Sequence, residues 1–166
     1  MKTVRQLADH LKSLKVWVIP YNQPQIPWRE LKGMDERKYS SLYDEWDWNC
    51  ATGINLIVGK RGIRVMELHD RNRLEEALSA LGLPEDYPWI IDSVGSIAIV
   101  VDTPNVSPKV FGMTNRGYEK VLLLWEGYYA LPFTGIERYF YRNRFPTEHP
   151  KQVLDDVFIN CIEEFS

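Results

Sequence analysis

Apolar residues recur at Val4, Leu7, Ala8, Leu11 and Leu14. That i, i+3, i+4, i+7 spacing predicts an amphipathic helix over residues 3–15, with Thr3 as its N-cap. The run Val16-Trp17-Val18-Ile19 predicts a first strand, closed by Pro20, which cannot donate to a central ladder. Residues 21–47 read as a loop at first, with Pro24 and Pro27, and then as a short helix ending near Trp46 and Trp48. Two β-rich runs, 52–58 and 63–68, flank Gly59-Lys60-Arg61-Gly62 and predict a hairpin whose glycines supply positive φ. Residues 71–81 place Leu74, Ala77, Leu78 and Leu81 on one helix face, and Gly82 and Pro84 stop that helix. A strand pair over 89–92 and 97–101 turns at Gly95. Residues 102–117, rich in Pro, Asn, Ser and Gly, read as a long mobile loop. The runs 121–125 and 128–131 predict a second hairpin broken at Glu126-Gly127 and ended by Pro132, and Val153, Val157, Phe158, Cys161 and Ile162 predict a terminal helix. This order implies an α+β fold: a mixed, mainly antiparallel sheet with flanking helices in one domain over residues 1–166.

Composition narrows the function classes. A chain of 166 residues, 45% of them hydrophobic, can bury one substantial core without metal or disulfide staples. The net charge of -3 gives no global basic field, so a nucleic-acid contact has to come from a local patch. Cys50 and Cys161 have no Cys or His at zinc-ligand spacing and read as reduced thiols. The first fifteen residues carry charges every few positions and lack the apolar core of a signal peptide, and no apolar run approaches a membrane span. The expectation is a cytoplasmic protein with no membrane partner.

The order of short motifs resembles the N-terminal primase-polymerase domain of plasmid, phage and integrated-element replication proteins. The pieces that carry the resemblance are Val18-Ile19-Pro20, Pro24-Gln25-Ile26-Pro27-Trp28, Trp46, Thr52-Gly53-Ile54, Gly59 and the strand 63–70. Ser93-Val94-Gly95-Ser96 falls where the family has a Ser-Gly-Gly turn. Glu126-Gly127-Tyr128-Tyr129-Ala130-Leu131-Pro132-Phe133-Thr134 resembles its Gly-Gly-Tyr segment. The resemblance covers about residues 7–145 and implies a primase-like sheet with an RNA-recognition-motif-like (RRM-like) core.

In that family an Asp-x-Asp pair on one strand holds two Mg²⁺ ions, because side chains two apart point to the same sheet face. Here those positions read Glu67-Leu68-His69, with Asp70 one residue beyond. Imidazole is a poor ligand for so hard a cation. The family's phosphate-contacting His falls on Ile97, and its third carboxylate falls in Val121-Leu122-Leu123-Leu124-Trp125, with only Glu126 nearby. The resemblance therefore implies a degenerate catalytic centre at Glu67, His69 and Asp70. Two readings of these residues stay open. One is a remodelled metal site at Glu67, His69 and Asp70, whose carboxylates and imidazole suit Zn²⁺ or Mn²⁺ better than Mg²⁺, with Glu67 and Asp70 as ligands of Mg²⁺ or Mn²⁺ if the chain is an active nucleotidyltransferase; the other is a polar strand end with Asp70 capping the next helix.

The segment 136–145 interleaves Arg138, Arg142 and Arg144 with Tyr139, Phe140, Tyr141 and Phe145. Rings that stack on bases and guanidinium groups that meet phosphates suit single-stranded nucleic acid, and the binding candidates are Arg138, Tyr139, Tyr141, Arg142 and Arg144. The competing reading is an edge strand with its aromatics inward and its arginines solvated. Lys60, Arg61, Arg64, Arg71 and Arg73 form a second positive group in sequence. The six tryptophans read as core and loop anchors. The function expected is that of a catalytically inactive primase-polymerase-like domain, without cofactor, that binds single-stranded DNA or a replication protein of a mobile element. An active nucleotidyltransferase and a protein-interaction domain without nucleic-acid binding are the alternatives.

Overall fold

The computed structural model describes residues 3–21, 26–103, 120–132 and 137–166, with the backbone of 116–117. Helix α1 (Val4–Ser13) starts with a reciprocal capping box: the Thr3 hydroxyl accepts from the Gln6 amide at 3.1 Å, and the Gln6 side chain accepts from the Thr3 amide at 2.8 Å. Its Leu7, Ala8 and Leu11 are buried, as the periodicity predicts. Strand β1 (Val18–Pro20) follows. The single helix expected before Trp46 is two helices, α2 (Trp28–Gly33) and α3 (Glu36–Glu45). Met34 adopts an extended ψ of 134°, and Asp35 then starts α3 as N-cap by accepting from the Lys38 amide at 2.8 Å. Tyr39 from α3 stacks on Trp17 at 4.1 Å, and its hydroxyl both accepts from the Val18 amide and donates to the Val18 carbonyl, each at 2.8 Å.

The chain then builds β2 (Ile54–Val58), β3 (Ile63–Leu68), α4 (Leu74–Ala80), β4 (Ile90–Ser93), β5 (Ser96–Asp102), β6 (Arg116–Gly117), β7 (Val121–Leu124), β8 (Gly127–Ala130), β9 (Arg138–Phe140) and α5 (Asp155–Phe165). The architecture is α+β with two antiparallel sheets, ordered β1-β2-β8 and β6-β7-β3-β5-β4-β9. Both hairpins expected around residues 59–62 and 126–127 are absent as hairpins. β2 pairs with β1 and β8, and β3 pairs with β5 and β7, so each strand has both edges occupied before its sequence neighbour could pair with it. What the sequence encodes is a two-stranded ribbon, β2–β3 against β7–β8, that bends from one sheet into the other. The bend needs Gly59 (φ 101°) and Gly127 (φ 122°). At Gly59 an added Cβ would stand 2.9 Å from the Glu126 Cβ and 2.9 Å from the Trp28 ring.

Within the larger sheet, β3, α4 and β4 form a split β-α-β unit with β5 inserted between its strands, and β7 lies on the far side of β3. The four strands β7-β3-β5-β4 form the centre of this sheet. The β4–β5 hairpin turns at Val94-Gly95, as anticipated, with Gly95 at φ 80°. One face of this sheet carries Met66, Leu68, Ile97, Ile99, Val121 and Leu123, all buried. Helices α4 and α5 pack on each other, and α5 packs on β7. The segment expected as a mobile loop over 102–117 lies largely outside the described residues, as do Pro24, Phe133, Thr134 and Ile136. Asp102, however, ends β5, and His149 reaches it at 3.0 Å while its other ring nitrogen lies 2.9 Å from the Leu14 carbonyl. The tryptophans serve the core and its seams: Trp48, Trp89 and Trp125 are fully buried, and the Trp89 indole donates to the Glu148 carbonyl at 2.7 Å. No helix among the described residues is long and apolar enough to cross a membrane.

Candidate functional site

Strand register decides which predicted site residues meet. Directly paired residues share a face. Glu67 lies between Ala98 on β5 and Leu122 on β7. The same face continues through Ile91 to Phe140 and through Ser93 to Arg138. β8 lays Tyr129 over it, with the Arg138 guanidinium 4.2 Å from the ring centre and also donating to the Ala130 carbonyl. Arg138, expected on a binding surface with Tyr139, thus turns into the seam between the sheets and joins Glu67 there.

This seam is polar and incompletely satisfied. Tyr129 is only 5% exposed, and its hydroxyl and that of Ser93 lack a hydrogen bond of good geometry. Burial pushes the Tyr129 phenol up to about 12; Arg138 opposes the shift, Glu67 adds to it, and the nearby Ser93 hydroxyl opposes it. One carboxylate, one guanidinium and two hydroxyls therefore converge where the resemblance placed a metal centre.

The carboxylate set is not that of the resembled family's two-metal site. The positions flanking Glu67 hold the aliphatic Ala98 and Leu122, and Ile97 is buried on the opposite face. Asp70 is exposed, and its carboxylate accepts from the Asn72 amide at 3.0 Å, capping the short 3-10 turn Arg71–Arg73. His69 is exposed and continues the ladder by donating its amide to the Lys120 carbonyl at 3.0 Å. Glu126 sits at the ribbon corner beside Arg64. Among the described residues no three His, Cys, Asp or Glu side chains are grouped as metal ligands.

The basic-aromatic segment is sorted by its own alternation. In β9, Arg138 and Phe140 point inward, while Tyr139 points to the other face and is 63% exposed. Among the described residues β9 is the sheet's last strand, so Tyr139 stands at that edge beside its cross-strand neighbour Asp92. The next turn brings Tyr141 and the exposed Arg142, whose guanidinium lies 5.1 Å from the Tyr141 ring centre. Arg142 and Asn143 both have positive φ, 55° and 54°, a left-handed pair that aims Arg142 off the strand. Arg144 is drawn away, donating to the Glu85 carbonyl at 3.2 Å. Of the five candidates, Tyr139, Tyr141 and Arg142 share a surface, whereas Arg138 and Arg144 are committed to internal contacts.

The second positive group disperses. Lys60 donates to the Lys32 and Met34 carbonyls at 2.8 and 2.7 Å, closing the end of α2. Arg61 pairs with Glu36, and Arg73 lies over Phe165. Arg64 is buried over Trp125 at 4.0 Å, and burial pulls its guanidinium down to about 10 against the opposing pull of Asp102 and Glu126. Arg71 alone joins the Tyr139 edge: it holds Asp92 with both guanidinium nitrogens, one at 2.9 Å, and reaches the Ser93 carbonyl at 3.3 Å. The Asp92 hydrogen bonds raise the Arg71 pKa further, and Tyr141 is close enough to add to that. Sequence reading did not single out Asp92, and the only signal that could have found it is the β4–β9 pairing. No family model matches the chain, and no curated protein matches it in sequence.

Proposed function

We propose that this chain is a primase-polymerase-like domain without nucleotidyl-transfer activity that binds single-stranded nucleic acid, in a replication complex of a mobile element, through the open edge at Tyr139. The observation that carries the binding reading is the exposure of Tyr139 beside Tyr141 and Arg142. A ring with a free face stacks on any base, and a neighbouring guanidinium meets phosphate or stacks in turn. The loss of catalysis is supported by the aliphatic neighbours of Glu67, since in-line transfer between two metals requires carboxylates clustered on one face. With so few cations at the edge, stacking supplies most of the affinity, and single strands are preferred over duplex, whose bases are already stacked.

The test has two arms. Template-dependent nucleotide incorporation is measured with Mg²⁺ and with Mn²⁺; no product is expected, and product abolished by Glu67→Ala would overturn the loss of catalysis. Binding of a fluorescent oligothymidylate is then competed with unlabelled single strand and with duplex. Competition by the single strand alone is expected. Absence of binding at low salt would overturn the nucleic-acid reading and favour a protein-interaction domain.

A further inference from the structure

The Arg71–Asp92 pair stands at the same edge and has a consequence for binding there. Arg71 comes from the 3-10 turn after β3, and Asp92 lies on β4 directly opposite Tyr139. Both carboxylate oxygens engage the guanidinium. The pair is half in solvent, with side-chain exposures of 43% and 27%. It therefore places a cation within reach of any strand stacked on Tyr139 and cancels that cation with an anion of equal charge. Water and salt reach and screen a half-exposed pair of this kind, so another anion can compete for the guanidinium. The two non-bridging oxygens of a phosphodiester offer a guanidinium the same bidentate geometry that a carboxylate does.

Building on the nucleic-acid reading, we propose that Asp92 sets the affinity of the edge: it occupies Arg71 in the free protein, and a backbone phosphate of the bound single strand takes its place. The strand then gains a phosphate contact from Arg71 only after displacing Asp92, and the released carboxylate stays nearby to repel phosphate. Asp92 restrains binding, and Arg71 is the contact it restrains. Such an arrangement favours strands whose bases stack well on Tyr139 over anions that offer charge alone.

The experiment is a salt titration of binding to an oligothymidylate of roughly 16 nucleotides, with the full chain and three variants. Asp92→Asn keeps a side-chain oxygen for Arg71 and removes the charge. It is expected to bind several-fold tighter at low salt, with a log-log salt slope steeper by about 0.7, so that a tenfold rise in salt costs it about five times more affinity than it costs the parent. In the double variant with Arg71→Ala most of that gain disappears. Arg71→Gln, which keeps hydrogen bonding to Asp92, is expected to bind more weakly with a shallower slope. It provides an independent readout if Asp92→Asn unfolds. Unchanged or weaker binding by a folded Asp92→Asn, while the parent binds, would overturn the proposal and leave the nucleic-acid reading standing. An equal gain with and without Arg71 would also overturn it, because Asp92 would then act only as a repelling charge. Binding by Asp92→Asn alone would support a fully closed edge, and no binding by any form would overturn both readings.

Discussion

Gly59 shows how much a single residue can fix. Its φ of 101° and the 2.9 Å approach of Trp28 and Glu126 leave no room for a side chain at the corner where the ribbon passes between sheets. Gly59→Ala is expected to lower stability by about 2–4 kcal/mol, from left-handed strain plus overpacking; chemical denaturation would read this, and a loss under 0.5 kcal/mol would contradict the close-packed corner. The glycine was legible as a turn signal, but the sequence could not say which strands the turn would join, because sheet partners are long-range choices. The same limit governs the site. Glu67 was found from a motif position and Arg138 from composition, whereas their shared face follows from the register β3-β5-β4-β9, which no local pattern records. Asp70 is the opposite case: its role as a cap depends on residues two positions away, and the sequence contained that reading.

Elements with strong local signals were predicted well. α1, with Thr3 as N-cap and its apolar stripe, and the β4–β5 hairpin turning at Gly95 are found as read, the hairpin strands shifted by one residue at their ends. Edges were less legible. β1 is an outer strand, and the outward amide and carbonyl of Val18 are both satisfied by the single Tyr39 hydroxyl from α3. Tyr39→Phe leaves two buried backbone groups unpaired, and a loss of about 1–3 kcal/mol is expected. In that variant, hydrogen exchange that speeds up at the Val18 amide but not at the Ile57 amide, which bonds to Trp17, would confirm that the hydroxyl seals this edge; equal protection of Val18 in wild type and variant would contradict it. β9 is the other kind of edge. Its alternation sends Arg138 inward and leaves Tyr139 exposed, so among the described residues the β1 edge is sealed by a side chain while the β9 edge carries an exposed aromatic ring.

For the whole molecule, burial of phenols sets an alkaline limit. Tyr129 is raised to about 12, and burial also raises Tyr39 and Tyr87. Each holds its proton more tightly folded than unfolded, so the stability they carry is intact below about pH 10, where unfolded phenols ionise, and is lost as pH rises through the folded values. Tyr129 alone accounts for about 2–3 kcal/mol between pH 10 and 12. Phenolate absorbance should show Tyr129, Tyr39 and Tyr87 ionising only on cooperative unfolding; their ionisation near pH 10 with the fold intact would contradict their burial. The net charge of -3 takes on a definite meaning at this scale. Most of the basic residues first grouped together by sequence are spent on internal contacts, which leaves a small edge where, on the proposed reading, stacking outweighs charge. One comparison tests this account most directly: binding of a fluorescent oligothymidylate to Tyr139→Ala and to Arg138→Ala, each with its melting temperature. The account predicts that Tyr139→Ala loses about 1–3 kcal/mol of binding with its melting temperature unchanged, and that Arg138→Ala keeps its affinity but melts lower. Unchanged binding in Tyr139→Ala, or a binding loss confined to Arg138→Ala, would contradict it.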